Sequence, residues 1–141
     1  MPTQSKPDNV SINKAAIIER SLRRMQQEYA ANPQLDNYTH IDALTLNIER
    51  ACQAAIDLAM HIVARDRLGM PQSSSDSFQL LHKAGMIDQQ TFKDMIAMTG
   101  FRNIAIHEYQ SMDMSVLRNI AESRWKSLIE YCRALGMNIQ V

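Results

Sequence analysis

Residues 41–63 read IDALTLNIERACQAAIDLAMHIV, and this stretch decides the fold. Its apolar residues recur every three or four positions, which is the spacing of an amphipathic helix. The main stripe consists of Leu44, Ile48, Ala51, Ala55, Leu58 and Ile62. A second set widens the stripe and comprises Ile41, Cys52, Ile56, Ala59 and Val63. A face this wide predicts a helix that is central in a bundle or that forms a dimer interface.

Helical patterns continue on both sides of this stretch. The upstream pattern consists of Ala15, Ile18, Leu22, Met25 and Tyr29. It follows a predicted N-cap at Ser11 or Asn13. Downstream, a short helix is predicted over residues 77–84, and Asp88 is the predicted cap of the next helix. A last helix is predicted from about residue 113 or 115 to residue 135.

These patterns predict an all-α fold, an up-and-down bundle of four long helices with a short extra helix. The chain has 141 residues, the size of one ordinary domain. We expect a flexible N-terminus over residues 1–10 and a single helical domain over residues 11–141.

Composition and charge exclude several classes of protein. The chain is 45% hydrophobic and 21% charged, so it is expected to fold rather than stay disordered. Its 15 basic and 15 acidic residues cancel, which excludes a generic polyanion binder and confines any nucleic-acid contact to a local site. Two cysteines, Cys52 and Cys132, fit neither a disulfide framework nor a zinc site. Without a secretory leader or a long apolar run, the chain is expected in the cytoplasm.

One polar row lies on the second helix. Asp57, His61 and Arg65 are four residues apart and share one helical face. A surface row of ion pairs explains this spacing better than a functional role does, although Asp57 and His61 remain candidates for a supporting role. The row supplies too few ligands for a metal site.

The densest polar cluster stands in an apolar stretch, GFRNIAIHEY, residues 100–109. On a regular helix Asn103 and His107 differ by about 40° and can touch, whereas Arg102 and His107 differ by about 140°. Two arrangements could still bring Arg102 and His107 together: the helix ends near His107, or a two-fold partner supplies a second copy across a shared cleft.

The chemistry of Arg and His fits cleavage of a phosphodiester without a metal. A His base can deprotonate a 2′-OH, and a guanidinium can stabilise the charge that grows on the phosphate. On chemistry alone, surface pairs of Arg102 and His107 with Glu108 explain the residues better than catalysis does.

The motif adds a family resemblance. Arg102, His107 and Tyr109, with Asn103 directly after the arginine, resemble the R-x4-H-x-Y signature of HEPN domains, and most closely the HepT toxins. The segment 55–62, the break at 69–71 and the run from 98 into the motif resemble the same family in order and spacing. The resemblance covers roughly residues 12–135 and implies a four-helix bundle.

The resemblance also implies a function. A HepT-like chain is expected to be a metal-independent endoribonuclease without a cofactor, active as a homodimer and leaving a 2′,3′-cyclic phosphate on its RNA product. His107 would be the general base or acid, Arg102 the phosphate-binding group and Asn103 a positioning residue. The partner would be a nucleotidyltransferase antitoxin of the MntA type, as in type VII-like toxin–antitoxin systems, and Tyr109 would be the target of adenylylation.

Two other interpretations remain open. A catalytically silent HEPN module would bind nucleotide, or serve as partner subunit of a nucleotidyltransferase, and would use Arg102 only to hold a phosphate. A plain helical dimerisation protein would explain the wide apolar face of the second helix, but would leave Arg102 and His107 without a role.

Overall fold

The structure, a computed structural model, describes residues 6–107 and 113–141, with the backbone alone for residues 104–107. That part of the chain is helical and contains no strand. Its helices are α1 (Asn9–Ala31), α2 (Tyr38–Arg65), α3 (Ser74–Lys83), α4 (Gln89–His107), α5 (Met114–Asn119) and α6 (Lys126–Ala134). A π-helical turn, Ile120–Arg124, joins α5 to α6, and we call the whole stretch the α5–α6 segment. The predicted all-α fold is confirmed, with α3 as the short extra helix.

α1 and α2 form an antiparallel hairpin whose register is fixed at both ends by carboxylate–imidazole pairs. At the open end, His61 Nε2 lies 2.7 Å from Asp8 Oδ2. At the closed end, His40 Nδ1 lies 2.6 Å from Glu28 Oε2. The turn between the helices is held by Asn32, whose side-chain oxygen accepts two backbone N–H groups of the turn at 3.0 and 3.1 Å. Polar contacts thus define how far one helix slides along the other.

α2 is the central helix of the bundle. Every residue of the predicted apolar stripe and of its widening set is buried. α1, α3 and α4 all pack against α2, and α6 reaches it through Tyr131, whose hydroxyl donates to the Ala55 carbonyl at 2.8 Å. The sequence predicts that the wide apolar face either makes α2 central in a bundle or forms a dimer interface. Within the single chain, α2 is central.

The other two parts of the bundle, α4 and the α5–α6 segment, run antiparallel to each other. The α5–α6 segment begins beside the end of α1, where Arg118 Nη1 donates to the Pro33 carbonyl at 2.7 Å. α4 runs the opposite way, since its early residue Thr91 lines one cavity with Arg133, and its later residue Phe101 lines another with Val116. The order α1, α2, α4 and the α5–α6 segment is therefore up, down, up, down, as the sequence predicts.

Two helices begin earlier than the sequence indicates. α1 starts at Asn9 because Asp8, rather than Ser11 or Asn13, is its N-cap and accepts from Ser11 N at 2.9 Å. The helix therefore reaches into residues 1–10, the range expected to be flexible. α3 starts at Ser74 because Ser73 caps it. In both cases several adjacent residues are good caps, and tertiary contacts select among them.

No helix in the described ranges is long and apolar enough to cross a membrane.

Candidate functional site

The predicted motif lies on α4, the helix that packs between α2 and the α5–α6 segment. Asp88 caps its start, accepting from Thr91 N at 2.8 Å, as the sequence predicts. The helix continues through Gly100 to His107, so Arg102, Asn103 and His107 belong to one helix. An interior glycine disfavours a helix by about 0.5–1 kcal/mol relative to alanine, so packing must hold this part of α4 in place.

Arg102 lies at the seam between α2 and α4. Its Nε atom is buried and has no hydrogen-bond partner in the described part of the chain. It is close enough to Cys52 of α2 for its charge to act on that thiol, although burial dominates and raises the pKa of Cys52 to about 12. None of the ion pairs within the described residues involves Arg102. A buried guanidinium nitrogen without an acceptor favours the binding of an anion from outside.

The other motif residues follow on the same helix. Asn103 is exposed on α4 beside Arg102. Position 107 is still within α4, so the backbone of one chain keeps positions 102 and 107 about 140° apart around the helix. Glu108 and Tyr109 lie outside the described residues.

The polar row of α2 has its partners on α1. Asp8 Oδ2 lies 2.7 Å from His61 Nε2 and 3.4 Å from Arg65 Nη1. Asp57 Oδ2 is 3.5 Å from Lys14 Nζ. The hydrogen bond from the backbone N–H of Ser11 is the main cause that holds the pKa of Asp8 below its ordinary value, and the hydrogen bond with His61 is the next largest. The row therefore pairs with Asp8 and Lys14 rather than along its own face, and Arg65 also pairs with its neighbour Asp66, Nε to Oδ1 at 2.9 Å.

The polar row also lies away from Arg102. His61 follows Cys52 by nine positions, which is about 180° around α2, and Asp57 follows it by five, about 140°. Cys52 faces Arg102, so these two candidates for a supporting role are on the opposite side of α2. The structure brings Asp57 and His61 to α1 and does not bring them to the motif.

The remaining described histidines also have structural partners. His40 pairs with Glu28, as noted above. His82 Nδ1 lies 3.1 Å from the Ile87 carbonyl, and its ring stacks on Phe92 with centroids 5.3 Å apart. Among His40, His61 and His82, none is left for chemistry at the seam. Within the described residues, no three His, Cys, Asp or Glu side chains are grouped closely enough to hold a metal ion.

Sequence reasoning did not single out a groove that adjoins the motif. This α4–α5 groove encloses about 300 Å³ between α4 and the α5–α6 segment, and Phe101, the residue before Arg102, lines it. Asp94 of α4 and Arg124 of the π turn face each other there, with Oδ1 and Nη1 3.9 Å apart. No sequence signal marks this pair, because the two residues are 30 positions apart and meet only through helix packing.

Comparisons with known proteins cover the same helices. A family model described as "Ribonuclease HepT-like" matches residues 15–135. The "mRNA nuclease HepT" of Shewanella oneidensis is 39% identical over 116 residues, covering 82% of this chain and 87% of that protein. Among solved structures, a tri-AMPylated Shewanella oneidensis HEPN toxin in complex with MNT antitoxin superposes with a TM-score of 0.85 at 35% identity, covering 90% of this chain and 96% of the other. A toxin–antitoxin complex with AMP-PNP also superposes at 0.85, with 34% identity and coverage of 90% and 97%. The matched family range contains α4 and the whole motif from Arg102 to Tyr109.

Proposed function

The chain belongs to the HepT-like ribonuclease family, and from that premise we propose that it is the RNA-cleaving toxin of a toxin–antitoxin pair. The observation that carries the proposal is the buried Nε of Arg102, which has no hydrogen-bond acceptor among the residues that the structure describes. A scaffold arginine would have its donors paired, as Arg65 and Arg118 do in the same molecule. The buried Nε of Arg102 is instead left for an anion, and an RNA backbone supplies one at every nucleotide.

The proposed reaction is an internal transfer of the phosphodiester without a metal. His107 removes the proton of a ribose 2′-OH, and the 2′-oxygen attacks the adjacent phosphorus as the bond to the 5′-oxygen breaks. Arg102 stabilises the charge that grows on the phosphate oxygens, while Asn103 orients His107 or the substrate. The leaving 5′-oxygen takes a proton, so the products are a 2′,3′-cyclic phosphate and a 5′-OH end.

A homodimer is part of the proposal. Within one chain, positions 102 and 107 diverge around α4, so a single helix is a poor template for a group that binds phosphate and a base that acts beside it. Two copies related by a two-fold axis would place both motifs on one cleft, where the arginine of one chain can serve the histidine of the other.

The family premise also supports a partner. The relative solved with MNT antitoxin carries AMP groups, and we propose a nucleotidyltransferase antitoxin of the MntA type that adenylylates Tyr109 of this chain. AMP on Tyr109 would add a bulky anion two residues from His107, where it would block the cleft and compete with RNA for Arg102. Intact-mass analysis after co-expression with the antitoxin should show AMP adducts that are lost in Tyr109→Phe. Adducts that persist in Tyr109→Phe would remove this part of the proposal.

The central experiment is induction of the wild-type chain alone, with Arg102→Ala and His107→Ala expressed to equal level. We expect growth arrest and RNA fragments with 2′,3′-cyclic phosphate ends from the wild type, and neither from the two variants. His82→Ala is the matched control, because His82 contacts the Ile87 carbonyl and Phe92 at the opposite end of α4 from the motif. A wild type that leaves RNA intact would instead favour the silent nucleotide-binding HEPN module.

A further inference from the structure

The α4–α5 groove has the size and chemistry of a small-molecule site. Its volume of about 300 Å³ lies at the lower limit of ligand pockets, which span about 300–1,000 Å³. A space of this size suits one flat heterocycle rather than a longer stretch of polymer. The groove is open because α4 presents Ala97 there, a small exposed residue, where a longer side chain would fill it.

The floor of the groove is apolar. Met98, Phe101 and Ile120 line it, and each is at most 5% exposed, so their edges form a surface supported by the core. Ile120 belongs to the π turn, a helix irregularity that occurs frequently at functional sites. A rigid apolar floor favours a ligand with a flat apolar face.

The rim of the groove is polar and incompletely paired. Asp94 Oδ1 accepts from Gln90 Nε2 at 3.0 Å but is 3.9 Å from Arg124 Nη1, longer than a charge-assisted hydrogen bond of about 2.7–2.9 Å. Asn119, an exposed residue with an amide side chain, lines the same rim. Donors and acceptors are therefore available around an apolar floor.

We infer that the α4–α5 groove binds a nucleobase of the RNA whose phosphate is held by Arg102. This inference rests on the proposed function, since it assigns a further part of the same substrate. A nucleobase combines an apolar face, for the floor, with a hydrogen-bonding edge, for the rim. Phe101, which lines the groove, and Arg102 are consecutive on α4 and about 100° apart around the helix, so the groove lies on the face of α4 next to the one that carries the phosphate site.

Two alanine-to-leucine variants distinguish the effect of filling the groove from the effect of adding a leucine elsewhere on the surface. Ala97→Leu fills the groove with a side chain that helices accept readily. Ala30→Leu is the matched control, because Ala30 is exposed on α1 and lines none of the cavities described above. Both variants of the full-length chain are compared with the wild type on one defined single-stranded RNA, with kcat, KM and the positions of cleavage measured.

We expect Ala97→Leu to raise KM on the order of tenfold and to even out the base preference at the cleaved positions. Ala30→Leu should keep the wild-type values. If Ala97→Leu cleaves at the same positions with the same KM, the inference is wrong and the proposed nuclease stands. If it changes the subunit stoichiometry in sedimentation instead, the groove is a subunit interface and the inference is also wrong.

A binding measurement does not depend on cleavage. Calorimetry with the four ribonucleoside 5′-monophosphates and with ribose 5-phosphate should show base-dependent binding that Ala97→Leu weakens and Ala30→Leu retains. If nucleotides bind in this base-dependent way but the chain does not cleave RNA, the groove inference holds and the proposed nuclease activity is wrong. Equal affinity for ribose 5-phosphate would mean that only phosphate is recognised, which overturns the inference.

Discussion

The α1–α2 hairpin and the seam around α4 treat polar side chains in opposite ways. In the hairpin, His40 and His61 each have a carboxylate within 2.7 Å. Around α4, Arg102 Nε is buried without a hydrogen-bond partner among the described residues, and the Asp94–Arg124 pair stays 3.9 Å apart. One region uses its charges to fix helix register, whereas the other leaves a buried donor unpaired and an ion pair loosely held, as the proposed function requires.

This difference separates stability from function along the chain. Paired groups stabilise the fold, while unpaired donors in a partly buried site cost stability and are retained where a ligand uses them. Polar residues of one chemical type therefore have different roles according to whether packing gives them partners. Substitutions in the two regions should divide in the same way.

The largest expected effect is on catalysis. Arg102→Ala should lower the cleavage rate by about 100- to 10,000-fold, because it removes the group that stabilises charge on the phosphate. Its thermal unfolding should change little, since Nε has no partner to lose. His61→Ala should show the reverse pattern, with normal cleavage and a lower Tm. If His61→Ala folds but no longer cleaves RNA, the polar row of α2 is part of the functional site.

The next effect is on the core of the hairpin. Leu58 is 0% exposed on α2, so Leu58→Ala should lower the free energy of unfolding by about 2–5 kcal/mol, measured in urea. Leu46, on the same helix but 44% exposed, is the control and should lose far less. Cleavage by Leu58→Ala should remain normal well below its Tm. Equal losses at the two positions would mean that another surface covers Leu46.

A smaller effect tests the bond that links α6 to α2. Tyr131 is fully buried, and its hydroxyl donates to the Ala55 carbonyl at 2.8 Å. Tyr131→Phe keeps the ring and removes this bond, so the free energy of unfolding should fall by about 0.5–1.5 kcal/mol. Burial raises the pKa of Tyr131, so the hydroxyl stays a donor at neutral pH. A variant as stable as the wild type would show that the hydroxyl is not needed to join the two regions.

The smallest effect concerns Asp8. Asp8→Asn keeps an N-cap but removes the charge that pairs with His61 and Arg65, so we expect Tm to fall by about 2–4 °C at pH 7. Because folding lowers the pKa of Asp8, its contribution is present above the unfolded value of about 3.9 and is lost as pH falls through the folded value. Melting curves of variant and wild type should therefore begin to approach each other as the pH falls below about 4, and should meet only below the folded pKa of Asp8. A difference that persists into acid would show that the carboxylate charge is not the cause.

Much of the fold follows from local pattern. The apolar residues of α2 are spaced at a helical period, so the sequence alone predicts the core face that the structure buries. The motif and its place on a helix were also predictable, since Asp88, the following apolar residues and the run to His107 form one helical pattern. The family follows from the order and spacing of the motif residues.

What escaped prediction depends on residues far apart in the chain. The cap contact of Asp8 is local, from Ser11 N, whereas its pair with His61 joins residues 53 positions apart and cannot be read from the sequence around either one. The spacing of Asp57 and His61 predicts a shared face, but only the register of the hairpin shows that this face meets α1. The π turn and the Asp94–Arg124 pair arise where α4 and the α5–α6 segment meet, and no short stretch of sequence records that meeting.

The π turn gives this toxin-family bundle a sensitivity to chain length. Trp125 N donates to the Ile120 carbonyl at 3.0 Å, so the turn holds one residue more than an α-helical turn. On one side Arg118 is fixed to the α1–α2 turn, and on the other Tyr131 is fixed to α2. Deleting one residue between them would rotate α6 by about 100° and shift it by about 1.5 Å relative to α5. The α5–α6 segment should therefore tolerate many substitutions, whereas the deletion of a single residue should disrupt its packing.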